Sequence, residues 1–224
     1  ARLRSGVSDW QRAAPTTWPP CALGAMLSER ADLIDDDHVV GNLAYLLHTS
    51  SLDTTGLLVW TLWHLADNPE VVAELRRRAA TSTHERDRYV DDIVSETLRL
   101  EQSEHIDRRV TEEFWFEGFR FPEGWLVRNC VQESHRDPGV FADADQFEPG
   151  RFGSGDVSWR NYAPLGMAAR SCIGEELVRT MAASVVRSLL AFDLDVADKG
   201  TRGYRLPGHS NLAERFRVIL TPRP

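Results

Sequence analysis

Cys172 sits where a thiolate could be stabilised. It lies in the run Tyr162-Ala163-Pro164-Leu165-Gly166-Met167-Ala168-Ala169-Arg170-Ser171-Cys172-Ile173-Gly174, a loop of small residues directly ahead of a helical stretch. Backbone N–H groups and the positive end of a helix favour an anion there. Anionic sulfur is a ligand for soft or borderline metal ions, and Arg170 supplies a nearby cation. The other two cysteines, Cys21 and Cys130, read as small buried apolar residues.

Three further groups could do chemistry only in company. Asp53-Thr54-Thr55, preceded by Ser50-Ser51-Leu52, places an acid and hydroxyls inside an otherwise apolar stretch. Such side chains compete with the helix backbone for hydrogen bonds, so on their own they read as a solvated face or a helix irregularity. Glu96 and Arg99 stand at i and i+3, close enough to pair on one helix face; most such pairs are exposed and contribute about 0–1 kcal/mol. Arg151 sits in Phe147-Glu148-Pro149-Gly150-Arg151-Phe152, which alone reads as a packed turn.

These groups need elements to position them. Residues 1–22 are rich in Pro, Ser and Arg and read as an irregular segment. A short helix is expected over Ala22–Arg30. A long one runs from about Asp36, behind the acids Asp35-Asp36-Asp37, to Ala66, where Asp67-Asn68-Pro69 stops it. At 1.5 Å per residue that helix is roughly 46 Å long. Pro69 opens another helix to about Ala80, Thr81-Ser82-Thr83 breaks it, and a third is expected from Asp87 to Leu100, burying Ile93, Val94, Thr97 and Leu98. Then the pattern changes. Phe114, Phe116, Phe119 and Phe121, separated by Gly118, predict short strands and a tight turn, and Trp125–Val131 predicts another strand. Residues 137–159 are irregular, Ile173–Ala191 helical, and the tail has hairpin character around Gly200, Gly203 and Pro207-Gly208. Helices followed by hairpins give a mainly α fold with a small β portion, an α+β arrangement.

Composition narrows the classes. The 224 residues suffice for one large domain or two small ones. Acidic residues outnumber basic ones 34 to 26, for a formal charge of −8, so nucleic-acid binding is not expected. Lys199 is the only lysine, an arginine bias that reads as a high-GC bacterial genome. Three cysteines make no disulfide framework, which suits a reducing cytoplasm. The most apolar stretch, Gly56–Leu65, is too short to span a bilayer and contains His64, so no membrane association is expected. There is no internal repeat.

Taken together and in this order, the motifs resemble those of the cytochrome P450 family of heme-thiolate enzymes. The likeness runs from about Leu27 to the C-terminus, making residues 23–224 a P450-like C-terminal heme-binding region. Ser134-His135-Arg136-Asp137-Pro138 and Val140-Phe141 are also similar to the family's approach to the Arg151 turn. The chain departs from the pattern at Leu165, usually Phe, at Ala168, usually Gly, and at Ser50 and Ser51, usually Ala or Gly. The N-terminal half of the family fold, with its roof over the substrate pocket, has no counterpart here.

The resemblance implies roles. Cys172 would be the axial ligand of heme b iron. Arg170 and Arg108 would hold the propionates, with Arg109 as the substitute for Arg108 if the register slips. Asp53 and Thr54 would be the catalytic acid–alcohol pair that relays protons. Glu96, Arg99 and Arg151 would form a buried structural network. Ser50, Ser51 and Ile106 would face substrate. The implied function is a monooxygenase acting on a small lipophilic or natural-product compound in secondary metabolism, with electrons from a ferredoxin-type donor. The alternative is a truncated relative with a non-redox role, a cyclase, an isomerase or a binding subunit. Its bare apolar surface would then be covered by a second chain or a dimer partner.

Overall fold

The computed structural model describes residues 37–101, 105–155, 157–158, 160–200, 202–205, 209–212 and 215–223. The expected irregular segment 1–22 with Cys21, the short helix over 22–30 and the acids Asp35 and Asp36 lie outside the described residues. So do residues 206–208 of the expected tail hairpin.

Helix α1 spans Asp37–Asp67, α2 Pro69–Thr81 and α3 Thr83–Glu101. Asn68 closes α1 by donating its side-chain amide to the His64 carbonyl at 2.7 Å, and Pro69 then starts α2 with a φ suited to a helix. Helix α3 begins four residues earlier than expected. Ser82 accepts the Glu85 amide on its hydroxyl at 3.0 Å. Ser-x-x-Glu is a capping-box sequence, so the supposed breaker Thr81-Ser82-Thr83 in fact starts the next helix.

The chain divides into two units, Ala1–Leu52 and Asp53–Pro224. Of the first, the described part is the N-terminal half of α1, where Tyr45, Leu46, Leu47 and Leu52 are exposed. The second unit is organised around α3, which buries a residue at nearly every turn from Tyr89 to Glu101. One cluster joins Leu65, Leu75, Val90, Ile93, Leu100, Phe147 and Val186. Another joins Leu57, Val94, Leu98 and Ala182, with Leu58, Leu165 and Val178 against it.

Strands β1 (His105–Arg109) and β4 (Leu126–Cys130) pair antiparallel with Ile106 opposite Asn129 and Arg108 opposite Val127. Strand β1 is not among the expected strands. Its His-Ile-Asp-Arg-Arg run lacks apolar alternation, and the pairing is supported instead by a cross-strand ion pair of Asp107 with Arg128 at 2.9 Å. Strands β2 (Phe114–Phe116) and β3 (Phe119–Phe121) form the expected hairpin, turned by Glu117 and Gly118 at φ 49° and 80°. Cys130 is half-buried at the end of β4 rather than fully buried.

One short helix, α4 (Val131–Ser134), precedes the expected irregular stretch, 137–159, which contains another, α5 (Gly150–Gly153). Helix α6 covers Glu175–Ser188 and tightens into a 3-10 turn at Leu189–Ala191. In the tail, β5 (Phe192–Asp198) pairs with β8 (Arg217–Pro222), and β6 (Arg202–Arg205) with β7 (His209–Leu212). The fold is thus mainly α with small sheets. Among the described residues no helix is long and apolar enough to cross a membrane.

Candidate functional site

Glu96 and Arg99 are fully buried on α3, one turn apart, and meet as a two-pronged pair. Arg99 Nε donates to Oε2 at 2.7 Å and Nη2 to Oε1 at 2.8 Å. The other Arg99 donors reach across the chain, Nη1 to the carbonyls of His135 and Ala144 at 2.6 and 2.7 Å, and Nη2 to that of Gln146 at 3.1 Å. All five guanidinium N–H groups therefore have acceptors. Arg151, on α5, donates through Nε to Glu96 Oε1 at 3.0 Å and through Nη1 to the Ala142 carbonyl at 2.8 Å. The Glu148 amide donates to the same Oε1 at 2.9 Å. One carboxylate and two guanidinium groups leave an excess positive charge. It is spread over backbone carbonyls and met by the Glu148 carboxylate, 3.5 Å from Arg151. Buried charges so fully bonded gather residues 135–151 against α3, and removing one partner would strand the others.

The Cys172 loop starts beside this network. The Ala163 amide donates to Nε2 of buried His135 at 3.1 Å. Tyr162 lies on the His135 ring and donates its hydroxyl to the Ser95 carbonyl at 2.9 Å. Further on, the Cys172 amide donates back to the Leu165 carbonyl at 2.7 Å, and the Glu175 amide donates to the Cys172 carbonyl at 3.2 Å, where α6 begins. Gly166 makes the turn possible. It has φ +82°, and a Cβ there would stand 2.5 Å from the Arg170 carbonyl oxygen. Ala168 also occupies the left-handed region, at φ 49°.

Cys172 is exposed, and so is Arg170. Beside Cys172, Ile173 is 86% exposed, and Leu177 and Met181 continue the bare apolar stripe along α6. Among the described residues no group of three or more His, Cys, Asp or Glu could hold a metal ion by itself. A lone cysteine sulfur next to a bare apolar stripe suits a metal whose other ligands come from an apolar organic ring. The residues present therefore fit a heme.

The remaining expected site residues are distributed as follows. Asp53 is exposed and Thr54 half-buried on α1. One turn on, Leu57 and Leu58 join the cluster that contains Leu165 at the base of the cysteine loop, so this stretch of α1 and the loop share one core. Ile106 and Arg108 project from the same face of β1, being two residues apart; Ile106 is half-buried and Arg108 exposed, with Nη1 donating to the Asp107 carbonyl at 2.8 Å. Arg109 lies on the other face and donates to the Gly124 carbonyl at 3.0 Å. Ser50 and Ser51 are exposed on the part of α1 belonging to the first unit, and the Ser50 hydroxyl donates to the Leu47 carbonyl at 3.2 Å.

Two buried groups escaped the sequence reading. His64 Nε2 lies 2.8 Å from Glu101 Oε1, and its ring stacks on Phe147 with centroids 4.4 Å apart. Histidine in an apolar stretch was the available signal. His135, expected only as part of the motif Ser134-His135-Arg136-Asp137-Pro138 and with no role of its own, couples the buried charges to the cysteine loop.

The family model for cytochrome P450 matches residues 19–213. Ent-kaurenoic acid oxidase 1 of Hordeum vulgare is 24% identical, with 100% of this chain covering 45% of that protein. Putative cytochrome P450 120 of Synechocystis sp. is 28% identical over 67% of this chain and 32% of its own length. Cytochrome P450 2J2 of Homo sapiens is 26% identical over 84% and 39%. The chain thus spans less than half the length of these curated relatives. With its motifs in order and most of its residues within the family match, the chain belongs to the cytochrome P450 family.

Proposed function

We propose that this chain is the heme-binding part of a heme-thiolate monooxygenase, in which the Cys172 sulfur would hold heme b. The observation that carries this is an exposed cysteine at the start of α6, on a loop tied to a fully bonded buried charge network. Heme held through the Cys172 sulfur would supply the oxidation chemistry.

The chain's own residues have distinct tasks. Arg170 binds one propionate by charge-assisted hydrogen bonds. Arg108 binds the other, and its place beside Ile106 on one face of β1 favours it over Arg109. The Asp53 carboxyl takes up protons from water, and Thr54 Oγ1 passes them inward, a positioned proton transfer. Ile106 contacts the substrate. Glu96, Arg99 and Arg151 hold the loop in place. The exposed apolar stripe at Ile173, Leu177 and Met181 would help keep water from the sulfur once covered.

The substrate is a small lipophilic compound, and the electrons come from a ferredoxin-type donor. Relatives named as an ent-kaurenoic acid oxidase and an abscisic acid 8'-hydroxylase support the lipophilic class. The bare α6 stripe also supports a second reading, a non-redox or binding subunit completed by another chain. Oxygen uptake, peroxide and product, measured together with an electron supply, separate the two. The monooxygenase consumes oxygen in step with product. Product formed without oxygen uptake would overturn it.

A further inference from the structure

We infer that His135 is a positioning residue for the Cys172 loop: its imidazole accepts the Ala163 amide while Arg99 holds its carbonyl, so the buried Glu96–Arg99 pair sets where the cysteine stands. The importance of this for metal ligation rests on the reading of Cys172 given above. The positioning itself does not.

His135 touches both ends of the connection. Its carbonyl accepts from Arg99 Nη1 at 2.6 Å, and its Nε2 accepts from the Ala163 amide at 3.1 Å. The side chain is 1% exposed, stacked against Tyr162 at 5.5 Å between centroids and set edge-on to Phe141 at 6.1 Å. From Ala163 the path is short. The Gly166 amide donates to the Ala163 carbonyl at 3.2 Å, and the Cys172 amide donates to the Leu165 carbonyl at 2.7 Å.

An imidazole nitrogen accepts a hydrogen bond only when it carries no proton, so the ring is neutral with its N–H on Nδ1. Burial, and then the positive charge of Arg99, push its pKa down to about 4, and the acceptor persists at neutral pH. Nδ1 is buried and has no hydrogen-bond partner among the described residues. An orphaned buried donor is unfavourable. An aromatic ring without nitrogens would fill the same space against Tyr162 and Phe141 with no orphan, so shape alone does not account for a histidine. The acceptor at Nε2 does.

The test compares His135→Phe, which keeps a ring, with His135→Gln, whose side-chain oxygen can still accept. Amide hydrogen exchange is followed in the heme-free chain at pH 7. Losing one such bond is expected to speed exchange at the Ala163 and Cys172 amides of His135→Phe by about tenfold, with the amides of α2 as in the wild type. His135→Gln should stay within a few-fold of wild type. Unchanged loop exchange in His135→Phe overturns the inference. So does equal loosening in both variants, or loosening spread evenly through α2. If His135→Phe does not fold, His135→Gln decides alone: protected Cys172 supports the inference and lost protection overturns it. Because no heme is present, a chain that shows the expected pattern yet never binds heme through sulfur would refute the functional reading and leave the positioning intact.

Discussion

Arg151 and Glu96, 55 positions apart in sequence, share a hydrogen-bonded ion pair of 3.0 Å in which neither side chain is more than 7% exposed. Glu96 Oε1 takes this bond together with those from Arg99 Nη2 and the Glu148 amide. A single oxygen thus joins α3, α5 and the turn between them, and the cysteine loop is tied to the same group through His135.

Glu96→Ala should therefore destabilise the chain by about 3–5 kcal/mol, because it leaves two buried guanidinium groups without their carboxylate. Denaturant unfolding monitored by circular dichroism measures this. A variant with an unchanged midpoint would place the network outside the stability of the fold.

Two residues of the cysteine loop should respond in opposite directions. Gly166→Ala forces a Cβ to within 2.5 Å of the Arg170 carbonyl at a positive φ and should destabilise the loop by more than 1 kcal/mol. Ala168 already sits at φ 49°, so Ala168→Gly should relieve strain and raise stability by up to about 1 kcal/mol. Thermal unfolding of both variants checks the pair; two shifts of the same sign contradict the loop geometry.

The pattern of what was readable follows from range. Helices α1 and α2 and the β2–β3 hairpin carry local signals: Pro69, the Phe alternation and Gly118. Helix α3 starts ahead of its expected place because Ser82, a residue that can end a helix, here caps the Glu85 amide with its hydroxyl. Strand β1 was missed because its pairing depends on β4, some twenty residues away, and on the Asp107–Arg128 ion pair. Glu96, Arg99 and Arg151 were named from motif resemblance, and the carbonyls that complete Arg99 belong to Ala144, Gln146 and His135, whose backbones leave no mark in sequence. The His64–Glu101 pair needed the third dimension altogether.

Asp92 offers a pH test. Burial pushes its carboxyl up to about 6 from an ordinary 3.8. The folded chain then binds this proton more tightly than the unfolded chain, so the Asp92 contribution to stability falls as pH rises from about 4 to 6. His135 acts the other way, since its folded pKa of about 4 lies below the ordinary 6.5, and its contribution is lost as pH falls through that window. Asp92→Asn should raise stability at pH 7 by about 1 kcal/mol, after allowing for solvent screening at a half-buried site. It should also leave the His135 dependence exposed, with stability rising from pH 4 to 6.5. A variant no more stable than wild type at pH 7 would show that the Asp92 charge is well solvated.

Thr54→Val keeps the side-chain shape and removes the hydroxyl. With heme and an electron supply, product formation should fall by roughly 10²–10⁴-fold while heme content holds, because positioned proton transfer contributes a factor of that size. Consumed oxygen should leave as peroxide. Unchanged coupling of oxygen to product would remove Thr54 from the proton path.

Ligation of heme iron by the Cys172 sulfur can be read from the absorption spectrum of the heme-loaded, reduced chain under carbon monoxide. The spectrum should show the strongly red-shifted Soret band of a thiolate-ligated carbonyl adduct, lost in Cys172→Ser because a hydroxyl is a much poorer soft donor. A wild-type spectrum without that band, or a Cys172→Ser spectrum identical to wild type, would contradict it.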